Sequence, residues 1–280
     1  MRGMTTGLGT TRFGIHAIAT DESIHPAKLG TAVEERGFDA LFLADHSHIP
    51  ADSAKPHPRG GELPRQYYRT LDPFAALSMV AGVTENLLLG TGVALLVQRD
   101  PIQTAKDVAS LDFLSNGRVI FGIGAGWNRE EMRNHGTDPR IRGRLLDERM
   151  AAIIEIWTKG QAEYHGKYVD FDPIFAWPKP VQRPHPPVYV GGQSAKAIAR
   201  AERFGGWMPS ANDVTDPAGV AEQMALVGPE TPVIANAVPP EPDVVAAYRE
   251  AGAAGITFHL PNVPEAEALS ILDELARLID

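Results

Sequence analysis

The sequence predicts a single-domain (β/α)8 barrel, the α/β fold in which eight parallel strands alternate with eight helices. Strand-like and helix-like segments alternate eight times along the 280 residues, and the last helix reaches Ile279. The longest strand-like segments are almost continuously apolar, as is typical of parallel strands buried on both faces. Long linkers rich in proline and serine are absent, which favours one domain over residues 1–280. A doubly wound open sheet is the alternative fold.

The segment from Leu87 to Trp127 is the clearest strand–helix–strand unit. An apolar run covers residues 87–96, and Asp100-Pro101 then opens a helix, because aspartate caps free N–H groups and proline fits a first turn. Asn116-Gly117 ends that helix, and residues 118–124 form a second apolar strand. Parallel strands need a right-handed crossover, so both strands end on one rim of the barrel, where functional residues are expected.

The remaining elements follow the same alternation. Further strands are predicted at residues 12–18, 38–44, 188–190, 206–208, 232–236 and 255–259. Further helices are predicted at residues 23–36, 72–83 and 144–157, with another beginning near Ser194. Irregular segments are a loose N-terminus (1–11), two insertions (47–70 and 159–186), a charged loop after Trp127, a hairpin near 164–168 and an extended return over 177–187.

Composition restricts the class of protein. The net charge of −9 and the pI near 5.5 argue against nucleic acid or an anionic membrane as a partner. The chain has no cysteine, so disulfides and thiolate chemistry are excluded. No apolar run approaches the roughly 20 residues of a membrane span, and residues 1–11, which lack an apolar h-region, are expected to be a loose start rather than a signal peptide. A cytoplasmic protein is expected.

The predicted strand ends bring few proton-transfer groups to the rim. They carry His16, Asp45, His46, Gly92, Val93, Gly124 to Trp127, Gly191 to Ser194, Ser210, Asn236 and His259. This set contains neither a Ser–His–Asp triad nor a pair of catalytic carboxylates. A rim rich in glycine suggests instead a large flat ligand that lies against the backbone, with a cofactor supplying the chemistry.

Six segments resemble the luciferase-like monooxygenase superfamily, in particular its branch that uses the deazaflavin coenzyme F420. They are Ala-Asp-His at 44–46, Leu-Gly-Thr-Gly-Val at 89–93, Asn-Gly-Arg-Val at 116–119, Gly-Ile-Gly-Ala-Gly-Trp at 122–127, Pro-Pro-Val-Tyr-Val-Gly-Gly at 186–192 and Gly-Gly-Trp at 205–207. Each segment is weak alone, whereas six in family order and spacing are specific. The resemblance covers most of the chain.

The resemblance implies roles for residues on the rim. It implies a non-prolyl cis peptide between Gly92 and Val93 that backs the central ring of the deazaflavin. Asp45 and His46 would contact the ring near its reactive edge, and His46 would be the catalytic proton donor or acceptor. The remaining cofactor-binding residues would be Ala125, Gly126 and Trp127, and, around the phosphate, Gly191, Gly192, Gln193, Ser194 and Ser210. The phosphate role agrees with a helix N-terminus near Ser194.

The resemblance therefore implies an F420-dependent oxidoreductase that transfers a hydride between the deazaflavin C5 and a small organic substrate. Some family members carry glutamate where this chain has Trp127, so a sugar-phosphate dehydrogenase is not expected. The alternatives are a monooxygenase that uses flavin mononucleotide (FMN) and a non-catalytic flavin-binding protein. A homodimer is expected.

A dinucleotide-binding site and a metal site are two other interpretations of the rim residues. The glycines of residues 122–127 resemble a dinucleotide fingerprint, but its sixth place is Trp127 and no acidic residue ends a strand about 20 residues later. His46 and His48 suggest a metallohydrolase, yet the next strand ends supply no further ligands, so no metal is expected. His259 has a purely structural interpretation as well.

The insertion 47–70 is basic within an acidic chain. It carries Lys55, Arg59, Arg65 and Arg69 against only Asp52 and Glu62. One interpretation of this composition is a solvated loop without a binding role. The functional interpretation is that these arginines meet the oligoglutamate tail that coenzyme F420 carries, because the guanidinium fork suits carboxylates.

Overall fold

Eight parallel strands close into a barrel in the computed structural model, which describes residues 11–51 and 61–279. The barrel strands, with β3 and β4 sharing one of the eight positions, and a separate hairpin of β6 and β7 are, in chain order, β1 (Arg12–Ala17), β2 (Ala40–Leu43), β3 (Leu88–Thr91), β4 (Ala94–Leu95), β5 (Val119–Gly124), β6 (Ala162–His165), β7 (Asp170–Ile174), β8 (Val188–Gly191), β9 (Gly206–Met208), β10 (Ile234–Ala235) and β11 (Gly255–Leu260). The helices are α1 (Pro26–Glu35), α2 (Pro73–Ala81), α3 (Pro101–Leu114), α4 (Arg129–Asn134), α5 (Arg142–Thr158), α6 (Ala195–Phe204), α7 (Pro217–Met224), α8 (Pro242–Glu250) and α9 (Glu265–Ala276).

Strand pairing confirms the predicted barrel and excludes the open sheet. The strands follow each other in the order β10, β11, β1, β2, β3, β5, β8 and β9, and every neighbouring pair is parallel. Two parallel bridges, Trp207 with Val233 and Ser210 with Asn236, join the ends of this order. β4 continues β3 along β5, whereas β6 and β7 form the expected antiparallel hairpin outside the barrel.

Three predictions of local structure were wrong. The apolar run 87–96 is not one strand: β3 ends at Thr91, and residues 96–98 form a 3-10 turn after β4. The charged segment after Trp127 is not a loop but contains α4, which Asn128 caps by accepting from two backbone N–H groups. α1 begins at Pro26 rather than residue 23, because Thr20 and Ser23 bond to each other in a turn.

Most helix boundaries follow the sequence because local capping chemistry sets them. Asp72, Asp100, Ser194 and Asp216 each accept from a first-turn N–H of the helix that follows. After α3, the predicted Asn116-Gly117 stop has φ angles of 56° and 81°, the left-handed conformation that ends a helix.

The barrel encloses a small apolar core that is separate from the larger one between strands and helices. Its buried members are Ala40, Phe42, Ile120, Tyr189, Met208 and Ile234. Glycine makes room for the rings: a Cβ at Gly90 would collide with the Phe42 ring, and a Cβ at Gly206 would lie 2.5 Å from Tyr189. Large and small residues on facing strands thus fill the interior below the rim.

Some predictions fall on residues outside the described ranges. These are almost all of the N-terminus 1–11, and Lys55 and Arg59 in the first insertion. The described part of that insertion includes a 3-10 turn, Arg65–Tyr68, and a bridge from Thr70 to Thr20. Within residues 11–51 and 61–279, no helix has the length and apolar character needed to cross a membrane.

Candidate active site

Val93 forms an apolar surface at the top of the barrel interior. The peptide bond between Gly92 and Val93 is cis, as the resemblance implies, and Val93 packs half-buried on the interior core. Glycines surround its side chain: a Cβ at Gly124 would lie 2.6 Å from Val93 Cγ2, and one at Gly191 would lie 3.1 Å from Val93 Cγ1. The glycines that end β5 and β8 therefore leave the space that the Val93 side chain occupies.

His46 lies at the end of β2 and is hydrogen-bonded to a carboxylate that the sequence analysis did not select. Its Nδ1 is 2.9 Å from Glu131 Oε2, and His46 is 7% exposed while Glu131 is fully buried. The His46 ring meets Tyr67 and Trp127 edge-on, with centroids 5.3 and 5.6 Å away. These contacts fix the plane of the imidazole between two aromatic rings.

Glu131 is held in its ionised form. Burial alone would raise the pKa of Glu131, but the hydrogen bond and charge of His46, with further hydrogen bonds, hold that pKa below its usual range. A carboxylate only accepts, so Nδ1 of His46 carries the shared proton. Nε2 is therefore the ring atom that remains for exchange with a ligand.

A second layer of polar groups supports Glu131 from the solvent side. Its Oε1 accepts from the Ser47 backbone N–H at 3.1 Å. The Ser47 hydroxyl bonds His135 Nε2 at 2.6 Å and His48 Nδ1 at 2.9 Å. Burial and the charge of His48 lower the pKa of His135, so this surface histidine favours its neutral form.

Asp45, the neighbour of His46, uses both carboxylate oxygens in hydrogen bonds within the protein. Its Oδ2 accepts from the Leu95 backbone N–H and from Arg99 Nε, and its Oδ1 accepts from Arg99 Nη2, each at 2.8 Å. Arg99 also donates to Asp72, the cap of α2, at 2.8 Å. Asp45 therefore anchors β4, whereas its predicted contact with a cofactor stays a prediction.

His16 and His259 lie side by side where β1 and β11 end. Their ring centroids are 5.9 Å apart, and His16 Nε2 donates to the Gly92 carbonyl oxygen at 2.8 Å. Burial and the charge of His259 lower the pKa of His16 to about 4, against the weaker effect of the Gly92 hydrogen bond. His16 is thus a neutral support for the segment that carries Val93.

The predicted phosphate turn and Ser210 are brought together. Gln193 Nε2 donates to the Ser210 carbonyl oxygen at 2.7 Å, and Trp207 Nε1 donates to the Gly192 carbonyl oxygen at 2.7 Å. Gly192 has a φ of 106°, which glycine adopts readily. Ser194 caps α6, whose exposed first turn presents backbone N–H groups that have no partner inside the helix.

The structure joins some predicted residues and adds others. His46 meets Trp127, Val93 meets Gly191, and Ala125 and Gly126 are half-buried beside them at the end of β5. Sequence reasoning missed Glu131 and Arg99. The only local signal was Asn128 followed by two glutamates, which is typical of a helix start. Among the described residues, no group of three or more His, Cys, Asp or Glu side chains is arranged to hold a metal ion.

Comparison with known proteins assigns a family to this (β/α)8 barrel with its glycine-lined rim and its buried His46–Glu131 pair. The model of the luciferase-like monooxygenase family matches residues 16–231. The chain belongs to the luciferase-like monooxygenase family.

Individual relatives differ in what is known of them. An uncharacterised protein of Mycobacterium tuberculosis strain H37Rv is 37% identical over 276 residues, covering 94% of this chain and 97% of that protein. The F420-dependent hydroxymycolic acid dehydrogenase of the same strain is 27% identical over 210 residues, covering 72% of this chain and 54% of that protein. The crystal structure of monooxygenase RslO1 from Streptomyces bottropensis has a TM-score of 0.76 at 18% identity, covering 96% of this chain and 98% of that one, and shows the shared fold.

Proposed function

We propose that the protein is an oxidoreductase that uses coenzyme F420 and a small organic substrate. The observation that carries the proposal is the buried His46–Glu131 pair. Glu131 holds Nδ1 of His46, and Nε2 of His46 is left to exchange a proton with a substrate. When bound, the cofactor supplies hydride exchange at its C5. The relative named as an F420-dependent dehydrogenase supports this choice.

The residues at the rim fit a flat, three-ring cofactor. A Cβ at Gly124 would press on Val93, so the glycines of β5 and β8 keep an apolar surface open at the top of the barrel. We assign Val93 as the surface on which the ring system lies. Burying a planar aromatic group against apolar side chains and backbone is favourable because both surfaces leave water.

The N-terminus of α6 fits the phosphate of that cofactor. Its first-turn N–H groups and the positive end of its dipole favour an anion. Trp207 and Gln193 hold the turn in place through Gly192 and Ser210. We therefore assign Gly191, Gly192, Gln193, Ser194 and Ser210 to phosphate binding.

His46 handles the proton that accompanies the hydride. In neutral His46 the proton lies on Nδ1 toward Glu131, so Nε2 accepts a proton from a substrate that is being oxidised. In the reverse direction the imidazolium donates that proton, and the Glu131 charge stabilises the imidazolium. Glu131 acts as a positioning residue, and Trp127 and Tyr67 restrict the ring.

The second candidate is an FMN-dependent monooxygenase; the description of the matched family as luciferase-like monooxygenases favours the monooxygenase activity. Equilibrium titration of the purified chain with each cofactor tests the choice. We expect saturable binding of coenzyme F420 with a dissociation constant at least about tenfold below that for FMN, a difference of about 1.4 kcal/mol. Tighter binding of FMN would overturn the proposal in favour of the second candidate.

A further inference from the structure

A cavity of about 430 Å³ lies on the solvent side of α4 and α5, and arginines dominate its lining. The lining residues are Arg129, Arg133, Asp138, Pro139, Arg140 and Arg142. Arg129 and Arg133 are four residues apart on α4, so they share one face of that helix. Arg140 and Arg142 lie where the chain enters α5 and line the same cavity.

The charges in this cavity are only half neutralised. Arg133 pairs with Glu130 at 3.0 Å and Arg140 pairs with Asp138 at 2.8 Å. In the part of the chain that the structure describes, Arg129 and Arg142 form no ion pair, although Arg142 Nη1 donates to the Pro139 carbonyl oxygen at 3.0 Å. Two guanidinium groups in a chain of net charge −9 therefore face one concavity without a carboxylate of their own.

Arg129 and Arg133 carry like charges four residues apart on α4 and therefore repel each other. An anion bound in the cavity reduces this repulsion. The surroundings favour the same sign of ligand. α5 is 17 residues long, no side chain caps its first turn, and no acidic residue lies in that turn. The positive end of its dipole adds to the field of the arginines.

We propose that this arginine cavity is a binding site for an anion that carries at least two carboxylate or phosphate groups. Guanidinium forks bind such groups through paired hydrogen bonds, and two unneutralised arginines match two acidic groups. The cavity volume falls within the range of small-molecule sites. The site is distinct from the His46–Glu131 pair, because α4 presents Glu131 to the interior and Arg129 to solvent.

Two sources supply this chemistry: a free polyanion, or the oligoglutamate tail of coenzyme F420. The second source rests on the proposed function. In the insertion, Arg65 donates to both carboxylate oxygens of Glu22 and Arg69 pairs with Asp21, whereas Arg59 lies outside the described residues, so the tail contact expected there stays a prediction. Because Arg65 and Arg69 already have carboxylate partners, they attract a tail less than Arg129 and Arg142 do.

Calorimetric titration of the cofactor-free protein with pyrophosphate tests the site. We expect pyrophosphate to bind in the arginine cavity, in addition to any binding at the phosphate turn of α6, with an affinity that falls as salt rises. Arg129→Gln/Arg142→Gln should weaken the binding in the cavity by about tenfold or more, because charge-assisted hydrogen bonds are lost. Lys28→Gln/Arg36→Gln is the matched control, because it removes the same two positive charges at ion pairs elsewhere on the surface. The affinity of this control variant for pyrophosphate should stay within about twofold of the wild type.

Titration with coenzyme F420 then separates the two sources. If the tail occupies the cavity, the Arg129/Arg142 variant loses F420 affinity, and pyrophosphate competes with the cofactor more weakly in that variant than in the wild type, because only competition at the phosphate turn is left. If a free anion occupies it, only pyrophosphate binding is lost. No pyrophosphate binding by the wild type at low salt, unchanged binding in the Arg129/Arg142 variant, or an equal loss in the control variant would overturn the proposal. Failure of F420 to bind at all would contradict the proposed function and leave the pyrophosphate result standing.

Discussion

Replacing Asp45 by asparagine should destabilise the protein more than any exposed ion-pair substitution. Asp45 is 5% exposed, and its two oxygens accept three hydrogen bonds at 2.8 Å from Leu95 and Arg99. The amide group of asparagine places a donor against donors and leaves the Arg99 charge half-paired. Breaking a buried ion pair from one side costs about 3–5 kcal/mol, and partial pairing of Arg99 with Asp72 brings the expectation to about 3 kcal/mol.

Urea unfolding, followed by circular dichroism, measures that loss. Asp72→Asn is the matched control, because Asp72 also binds Arg99 but is half-exposed and keeps most of its capping function as asparagine. Its expected cost is about 1 kcal/mol or less. Equal losses in the two variants would refute the assignment of Asp45 as the anchor of β4.

Three further predictions concern the histidines and Glu131. His46→Ala should lower turnover by roughly 10²–10⁴-fold while the dissociation constant for the cofactor changes only a few-fold, and an unchanged rate would end its catalytic assignment. Glu131→Gln should lower turnover while the dissociation constant for the cofactor changes only a few-fold, because His46 loses the carboxylate that holds its Nδ1 proton; an unchanged rate would contradict that positioning role. The pKa of His16 is about 4 in the folded protein and near 6.5 in the unfolded chain. As the pH falls below about 6.5, the unfolded chain therefore takes up a proton before the folded protein does, and the free energy of unfolding drops by at most about 3 kcal/mol by pH 4. Urea unfolding at several pH values should show a smaller drop for His16→Asn than for the wild type, and equal pH dependence in the two proteins would contradict the assignment.

Sequence patterns were sufficient for the barrel because its determinants are local. Capping residues such as Asp72 and Asp100 sit next to the helices that they start, and apolar runs mark strands wherever they occur. The cis bond at Gly92 followed from the family resemblance, since an apolar run predicts an uninterrupted strand there. α4 was missed because its six residues, four of them charged, show no apolar period, and only its cap is visible in sequence.

The site needed the structure because its pairs are distant along the chain. His46 and Glu131 are 85 residues apart, and Asp45 and Arg99 are 54 residues apart. The sequence placed Asp45 on the rim but did not indicate Arg99 as its partner, and Glu131 is an ordinary surface residue by sequence pattern, so nothing local marks it as buried. The basic insertion shows the converse, since Arg65 and Arg69 look free in sequence but pair with Glu22 and Asp21.

Hydride transfer without oxygen is the most direct test of the proposed F420-dependent reaction. The purified chain is loaded with reduced coenzyme F420, mixed anaerobically with a panel of small aldehydes and ketones, and followed by the visible absorbance of the oxidised deazaflavin. We expect that absorbance to return with at least one substrate, and to return roughly 10²–10⁴-fold more slowly in His46→Ala. Oxidation that needs oxygen and proceeds only with reduced FMN would contradict the proposal and identify a monooxygenase instead.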